Sequence, residues 1–323
     1  MRAVVVRETG GPERLIVEDV AEPQPGSGEV RLRVEAAGVN FIDVYHRTGR
    51  MTLPLPFTPG MEAAGVVDAV GPDVTGVTVG DRVAHPFRPG AYAEAQIVAA
   101  DRLVHVPDAV PLRLAAASML QGLTAHYLTT STFPLSAGHT VLVHAGAGGL
   151  GLLLTQVAVA AGARVITTTS TEEKAERSRA AGADAVIRYD REDVAVRVRE
   201  LTGDRGVDVA YDSVGDATAR ASLASLTRRG MLVLVGESSG PIDPPILPSE
   251  LKSGGSIFMT RPTLGDHVAD TAELRARADA LFGWIADGTV TVHVSEELPL
   301  EAAPEAHRRL ESRATTGKVL LIP

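Results

Sequence analysis

Residues 140–161, TVLVHAGAGGLGLLLTQVAVAA, decide the fold. An apolar run, a cluster of small residues and a second apolar run predict a strand over Thr140–Ala145, a tight turn and a helix over Gly149–Ala161. Small residues let the backbone approach a pyrophosphate, and the first turn of a helix offers N–H groups without acceptors. The turn therefore indicates a dinucleotide site, with a purely structural turn as the alternative. The cofactor-binding residues expected here are Ala147, Gly148, Gly149 and Leu150.

Downstream of this turn, strand-like runs alternate with helical stretches. Six strands separated by helices predict a doubly wound parallel sheet, a Rossmann-type nucleotide domain over residues 125–260. After the first, the predicted strands are Arg164–Thr169, Ala185–Ile187, Val207–Asp212, Met231–Gly236 and Ser256–Thr260.

Residues 1–124 have a different pattern, in which short strands are separated by Gly-Pro and Pro-Gly turns. Val30–Ala36 alternates apolar and polar residues, as a half-buried strand does. The pattern predicts a small β-barrel. Residues 261–323 contain one long helical stretch and strand-like runs at Val290–Val294 and Lys318–Ile322, which are expected to return to this domain. The fold class is therefore α/β with two domains.

Composition limits the function classes. The 323 residues are 45% apolar and 22% charged, as in a globular protein. The net charge of −9 argues against nucleic acid or an anionic membrane as a partner. The absence of cysteine excludes disulfides and thiolate catalysis and suits the cytoplasm. No signal peptide is visible, and the most apolar stretch contains His144, Gln156 and a cluster of glycines, which does not predict a membrane span.

The second strand of the nucleotide domain ends without a carboxylate. An NAD site usually places Asp or Glu there to bind the ribose hydroxyls, whereas Thr167–Thr171, which includes Ser170, has none before Glu172. Lys174 follows and can supply a cation to a 2′-phosphate, with a solvated helix lysine as the alternative. The pattern favours NADPH as the cofactor, with Ser170 and Lys174 among its binding residues.

Motifs spread over nearly the whole chain resemble the zinc-free quinone oxidoreductases, the zeta-crystallin-like family of the medium-chain dehydrogenase/reductase superfamily, and most of all its bacterial members. Together they are highly specific, and the resemblance implies a partly open, GroES-like barrel as the catalytic domain and NADPH as the cofactor. The motifs are GGPE at 10–13, GVNFIDVY at 38–45, GAYAE at 90–94, GLTA at 122–125, YDSVG at 211–215, TRP at 260–262 and ESRATTG at 311–317.

The resemblance also implies chemistry without a metal. In zinc-dependent members of the superfamily, a Cys ligand stands at the position of Asn40 and a His ligand at the position of Met61. A zinc site needs three or four nitrogen, sulfur or oxygen ligands, so no metal is expected. Met51 stands where the family usually has a tyrosine, and a thioether cannot donate the hydrogen bond of that tyrosine.

Further cofactor contacts follow from the resemblance. It implies a 2′-phosphate pocket of Lys174, Tyr189 and Arg313, and a nicotinamide near Asn40 and Thr124. The residues that it brings to the cofactor from late strands are Gly236, Ser238, Met259 and Thr260.

Hydride addition to a quinone or an enone puts negative charge on the carbonyl oxygen, which a nearby donor stabilises. Asn40, Tyr45 and Arg261 are candidates for that donor, and Tyr45 or water for the proton source. The alternatives are a loop contact for Asn40, a core position for Tyr45 and a surface ion pair for Arg261. Asp43 is a further catalytic candidate, although capping of the following helix is the favoured interpretation.

These observations predict a cytoplasmic, NADPH-dependent reductase of quinones or α,β-unsaturated carbonyls. One alternative is an enoyl-thioester reductase acting on acyl-CoA or a carrier-bound chain, for which Arg47 and Arg50 are the basic loop candidates. Another is a nonenzymatic NADPH-binding protein. Ser256–Thr260 is an apolar strand expected at the sheet edge, and relatives pair through this strand, so a homodimer is predicted.

Overall fold

The computed structural model describes residues 1–323 and contains fifteen strands and ten α-helices. The strands are β1 Arg2–Val5, β2 Ile16–Asp19, β3 Glu29–Gly38, β4 Glu62–Val70, β5 Arg82–His85, β6 Ala95–Ala99, β7 Val104–His105, β8 Thr140–Val143, β9 Arg164–Thr169, β10 Ala185–Arg188, β11 Val207–Asp212, β12 Leu226–Leu234, β13 Phe258–Thr260, β14 Val294–Pro299 and β15 Lys318–Ile322. The helices are α1 Phe41–Thr48, α2 Leu112–Tyr127, α3 Gly149–Ala160, α4 Glu172–Ala180, α5 Val194–Leu201, α6 Asp216–Ser225, α7 Pro248–Ser253, α8 Leu264–His267, α9 Thr271–Ala286 and α10 Ala303–Glu311.

The chain forms two compact units. The first, here called the barrel unit, comprises residues 1–123 and 267–323, and the second, the nucleotide unit, comprises residues 124–266. No helix in either unit has both the length and the apolar character that crossing a bilayer requires.

The nucleotide unit contains a six-stranded sheet in the order β10-β9-β8-β11-β12-β13, with every neighbouring pair parallel. The predicted doubly wound parallel sheet is confirmed. The order reverses direction at β8, and ligands of such sheets bind beyond the carboxyl ends of the strands near that reversal. The core between the sheet and its helices is built from aliphatic side chains, among them Leu142, Ile166, Val207 and Leu232.

The barrel unit is organised around a seven-stranded sheet in the order β14-β15-β3-β4-β5-β7, with β6 paired to β3. In strand β3, the buried residues Val30, Leu32 and Val34 alternate with more exposed residues, as the sequence pattern predicts. Strand β15 lies between β14 and β3, antiparallel to β3 and paired with it at Ala37 and Gly38. The returning C-terminal segment therefore supplies an interior strand of this sheet.

The predicted strand Val290–Val294 is wrong, because the strand in this region is β14, which begins at Val294. Val290 and Val292 are buried, but the Val290 N–H bonds to the Trp284 carbonyl at the end of α9 rather than to a strand. Alternation of buried valines reflects burial alone, and a ladder partner is also needed for a strand.

Candidate functional site

The glycine-rich turn connects β8 to α3. Gly148 is the N-cap residue of α3, and no side chain caps this helix end. The first N–H to bond within the helix is that of Leu152, which reaches the Gly148 carbonyl at 2.9 Å. The three preceding N–H groups, of Gly149, Leu150 and Gly151, have no acceptor inside the helix. Three such donors at the positive end of a helix dipole form an anion site.

The glycines of this turn are required by close backbone packing. A Cβ atom on Gly151 would lie 2.2 Å from the Ala145 carbonyl oxygen, and one on Gly146 would lie 2.5 Å from Cβ of Thr167. Only a hydrogen atom fits at these two positions, so glycine lets the backbone of the turn pack closely against its neighbours. The turn and the uncapped helix end together fit the pyrophosphate of a dinucleotide.

The carboxyl end of β9 lies beside the next candidate site. Thr171 is the N-cap residue of α4, and its hydroxyl accepts the N–H of Lys174 at 3.2 Å. The Tyr189 N–H bonds to the Thr169 carbonyl at 3.2 Å. The structure thus brings Ser170, Lys174 and Tyr189 to one edge of the sheet. Arg313 belongs to the barrel unit, where it follows α10, and its predicted phosphate contact stays a prediction.

Glu172, the first carboxylate after the end of β9, is paired with two guanidinium groups. Its oxygens lie 2.7 Å from Arg179 and 3.2 Å from Arg188. These hydrogen bonds, with the arginine charges, hold the pKa of Glu172 below its usual value. The carboxylate that would repel a 2′-phosphate is therefore already paired with cations.

The remaining predicted cofactor contacts of the nucleotide unit lie in three segments. The Gly236 and Ser238 N–H groups bond to the carbonyls of Asp212 and Ser213 at 3.3 and 3.4 Å. Met259 and Thr260 lie in the edge strand β13. Thr124, by contrast, is buried on α2.

Arg261 has several partners within the nucleotide unit. Its guanidinium donates to the carbonyls of Leu234 and Val235 at 3.3 and 3.0 Å and lies 3.5 Å from a Glu237 oxygen. The structure contains the alternative predicted for Arg261, which is an ion pair with an acidic residue. The catalytic role of Arg261 stays a prediction.

Asn40 and Asp43 form the start of α1. Asn40 is the N-cap residue, and its N–H donates to Oδ2 of Asp43 at 2.8 Å. Asp43 therefore caps from within the first turn of the helix, by accepting the N-cap N–H, rather than from the N-cap position. Both side chains are buried, and the direct catalytic roles assigned to them stay predictions.

The Asn40 amide group is fully engaged within the barrel unit. Its nitrogen donates to Oε1 of Glu62 at 2.8 Å and to the Gly38 carbonyl at 3.3 Å. Its oxygen accepts from the Lys318 ammonium at 2.7 Å and from the Gln121 amide at 3.3 Å. Every strong hydrogen-bonding direction of this amide is thus occupied by the protein itself, which makes Asn40 a fixed element of the site.

Glu62 and Lys318, which both bond to the Asn40 side chain, form a buried ion pair. Lys318 contacts Oε1 of Glu62, and neither side chain is more than 2% exposed. The second Glu62 oxygen accepts the Leu120 N–H at 2.6 Å. In residues 1–323 no group of three His, Cys, Asp or Glu side chains is arranged to hold a metal ion. We refer to Asn40, Glu62 and Lys318 as the buried triad.

Lys318 is the residue of this site that the sequence did not indicate. Its only signal is a lysine at the start of an apolar strand-like run, Lys318–Ile322. A charge in such a run requires a partner when it is buried. The identity of that partner depends on the pairing of β15 with β3, which has no sequence signature.

Asp43 is the buried carboxyl group next to the triad. Its Oδ2 accepts the Tyr92 hydroxyl at 3.0 Å, and that hydroxyl also lies 3.3 Å from Nε2 of His307. Its Oδ1 is buried without a hydrogen-bond partner. Burial raises the pKa of Asp43 to about 7, although the Asn40 N–H and the Tyr92 hydroxyl act in the opposite direction. The neutral acid therefore persists close to neutral pH.

Replacement of Asp43 by asparagine is expected to flatten the pH dependence of stability. The pKa of Asp43 rises on folding from 3.8 to about 7, so its contribution is fully present below pH 3.8 and is lost as the pH rises to about 7. The side-chain amide of the variant does not titrate in this range. Urea unfolding at several pH values across this window should give a smaller fall in the free energy of unfolding for Asp43→Asn than for the wild type. The same substitution at Asp266, outside this site, serves as the control, and equal slopes for Asp43→Asn and wild type would contradict the assignment.

The C-terminal end of α1 carries the half-buried Tyr45 beside the exposed Arg50. The Arg50 guanidinium stacks over Tyr45 at 4.7 Å from the ring centroid, and Met51 beside it is 43% exposed. Arg47, in contrast, is buried against Glu311, which its two terminal nitrogens contact at 2.9 and 2.8 Å. Of the two basic candidates for a phosphopantetheine contact, only Arg50 is at the surface.

Comparison with known proteins identifies both parts of the chain. Residues 26–108 match the alcohol dehydrogenase GroES-like domain, and residues 181–321 match a zinc-binding dehydrogenase family. The chain is 45% identical to a quinone oxidoreductase of Pseudomonas aeruginosa, over 97% of each chain. It is 42% identical to a 2-haloacrylate reductase of a Burkholderia species, over 99% of this chain and 98% of that one. The crystal structure of Escherichia coli quinone oxidoreductase complexed with NADPH covers 100% of both chains, with 40% identity and a TM-score of 0.98.

Proposed function

Because the chain belongs to the quinone oxidoreductase family of the medium-chain dehydrogenase/reductase superfamily, we propose that it reduces quinones or α,β-unsaturated carbonyl compounds with NADPH. The observation that carries this proposal is the uncapped N-terminus of α3, where three N–H groups follow the glycine-rich turn. In this proposal the catalytic domain comprises residues 1–124 and 261–323 and the cofactor domain comprises residues 125–260, which differ from the barrel and nucleotide units by a few residues at each boundary.

NADPH supplies the hydride, and the protein supplies binding and orientation. In this proposal the α3 N-terminus binds the pyrophosphate, and Ser170, Lys174 and Tyr189 surround the 2′-phosphate. The buried triad fixes the loop at the start of α1, because the Asn40 side chain is held on both sides. The triad positions this loop and does not contact the substrate directly, because the Asn40 amide group has no N–H left to donate to a substrate.

The proposed acceptors are small. The relatives are named for quinones and for 2-haloacrylate, and the exposed surface near α1 combines the apolar Met51 with the Tyr45–Arg50 stack. An acyl-CoA needs several cations to bind its phosphates. Arg47 cannot supply one of them, because it is buried in an ion pair with Glu311. These features favour small acceptors over enoyl-thioesters.

The test is steady-state turnover of NADPH with benzoquinone, naphthoquinone, methyl vinyl ketone, 2-chloroacrylate and crotonyl-CoA. The expected result is that kcat/KM for at least one small acceptor exceeds that for crotonyl-CoA. Faster reduction of crotonyl-CoA than of every small acceptor would make the protein an enoyl-thioester reductase. NADPH binding without turnover of any acceptor would make it a nonenzymatic binding protein.

We also propose that the protein is a cytoplasmic homodimer joined through β13. The absence of cysteine suits a reducing compartment. Strand β13 is the edge of the parallel sheet, and its Phe258 and Met259 are 57% and 40% exposed. An apolar edge strand with unpaired N–H and C=O groups favours pairing with a second copy across a twofold axis.

Replacement of Phe258 by Asp is expected to give a monomer, because it places a charge in the proposed apolar interface. Light scattering should report about twice the 33.8 kDa chain mass for the wild type and the single chain mass for the variant. Val196→Asp is the matched control, since Val196 lies on α5 and is equally exposed, at 58%. A wild type that is monomeric, or a Phe258→Asp variant that stays dimeric, would overturn the proposed interface.

A further inference from the structure

A continuous line of buried polar side chains crosses the carboxyl ends of three strands in the nucleotide unit. It consists of Thr168, His144, Ser222 and Asp212, which we call the His144 chain. None of the four is more than 2% exposed. The sequence patterns predict no role for any of the four, and none is among the predicted cofactor contacts.

The hydrogen bonds of the His144 chain have a single direction. The Ser222 hydroxyl donates to Oδ2 of Asp212 at 2.6 Å. Its oxygen therefore accepts from Nε2 of His144, 2.9 Å away. Nδ1 of His144 is then an acceptor for the Thr168 hydroxyl at 3.0 Å. Burial lowers the pKa of His144, so the ring is neutral with one N–H, which is what this order requires.

One end of the His144 chain, at Thr168, supports the adenosine side of the proposed cofactor site. The Thr168 carbonyl accepts the N–H of Gly146 at 2.9 Å, which connects β9 to the glycine-rich turn. Thr168 is also two residues before Ser170, at the proposed 2′-phosphate edge. His144 itself begins the turn, and its N–H bonds to the Tyr211 carbonyl at 3.1 Å.

The other end of the His144 chain, at Asp212, supports the segment that contains Gly236 and Ser238. Oδ1 of Asp212 accepts the N–H groups of Val214 and Gly215 at 2.9 and 3.0 Å and the Thr218 hydroxyl at 2.8 Å. The Asp212 carbonyl accepts the N–H of Gly236 at 3.3 Å. Asp212 thus shapes the turn after β11 and supports the segment after β12.

We propose that the His144 chain positions these two sides of the sheet edge relative to each other, so that both halves of NADPH bind at once. The inference rests on the proposed function and adds positioning residues to it. Ser222 is the link between the sides: it is the only member that bonds to both His144 and Asp212. A fully satisfied network of buried hydrogen bonds makes such a relation rigid and specifies a single arrangement.

A positioning role has a distinct signature in binding. A ligand that contacts both sides gains affinity because its second half binds at a high effective concentration, and this gain depends on the geometry between the sides. Adenosine 2′,5′-bisphosphate contacts only the adenosine side. Loss of the Ser222 link should therefore weaken NADPH and leave the bisphosphate unaffected, whereas general loosening would weaken both.

The experiment is calorimetric titration of Ser222→Ala with NADPH and with adenosine 2′,5′-bisphosphate. Removing one buried hydrogen bond is expected to raise the Kd of NADPH about tenfold and to change that of the bisphosphate by less than about twofold. Ser225→Ala is the matched control, because Ser225 is equally buried on α6 but its hydroxyl donates only to the Ala221 carbonyl of its own helix. It should bind both ligands like the wild type.

Ser222→Cys provides a second variant if Ser222→Ala does not fold, since a thiol is close in size but donates weakly. An intermediate, NADPH-selective loss is expected for it. Equal losses for both ligands, or no loss for NADPH, would overturn the positioning role. A wild type that binds neither ligand would instead overturn the proposed NADPH function.

Discussion

Lys318→Met is expected to lower the free energy of unfolding by about 3–5 kcal/mol, because it leaves the Glu62 carboxylate buried without its cation. Glu62 is fully buried and Lys318 is 2% exposed. Water cannot replace the ammonium group in such a place, and the remaining Asn40 and Leu120 donors carry no full positive charge. Urea unfolding of the variant and the wild type measures the difference directly.

Two further variants separate the charge effect from lost packing. Lys252→Met changes an exposed lysine on α7 and should alter stability by less than about 0.5 kcal/mol. Glu62→Gln in the Lys318→Met background removes the unpaired charge and should recover part of the loss. A single variant as stable as the wild type, or a double variant less stable than Lys318→Met, would contradict the account of the buried triad.

Lys174→Ala is expected to weaken NADPH binding by about ten- to a hundredfold, with little effect on NADH. A charge-assisted contact to phosphate is lost with NADPH, whereas NADH has no 2′-phosphate to lose. The position of Lys174 in the first turn of α4, next to the carboxylate-free end of β9, carries this expectation. Fluorescence titration with both cofactors gives the two dissociation constants.

Arg197→Ala, an exposed cation on α5 paired with Glu192 and Glu200, is the control and should leave both cofactors unaffected. An equal loss of NADPH and NADH affinity in Lys174→Ala would mean that the lysine supports the fold of this edge rather than the phosphate. Unchanged affinity for both would remove Lys174 from the site.

The nucleotide unit could be predicted from sequence because its signals are local. A strand, a glycine-rich turn and a helix follow one another within residues 140–161, and the same alternation continues to β13. The turn also located the uncapped end of α3, because Gly148 and Gly149 stand at the point where the apolar period changes from strand to helix.

The barrel unit was less predictable because its key contacts join distant parts of the chain. Lys318 meets Glu62 and Asn40 only through the pairing of β15 with β3, and no pattern near Lys318 specifies that strand order. The sequence predicts a loop cation at Arg47, yet this residue lies on α1 and is buried against Glu311. Sequence spacing locates a helix face, but it cannot identify partners hundreds of residues away.

The place of β15 in the sheet has a consequence for synthesis on the ribosome. The nascent chain emerges from its N-terminus, so β3 and β4 appear long before Lys318–Ile322. Until then the Ala37–Gly38 end of β3 lacks its β15 partner, and the Glu62 carboxylate lacks its ammonium counterion. The nucleotide unit, whose residues 124–266 are contiguous, can fold first. The barrel unit cannot complete its sheet until residues 318–322 have emerged, and until then it presents an open strand edge at Ala37–Gly38.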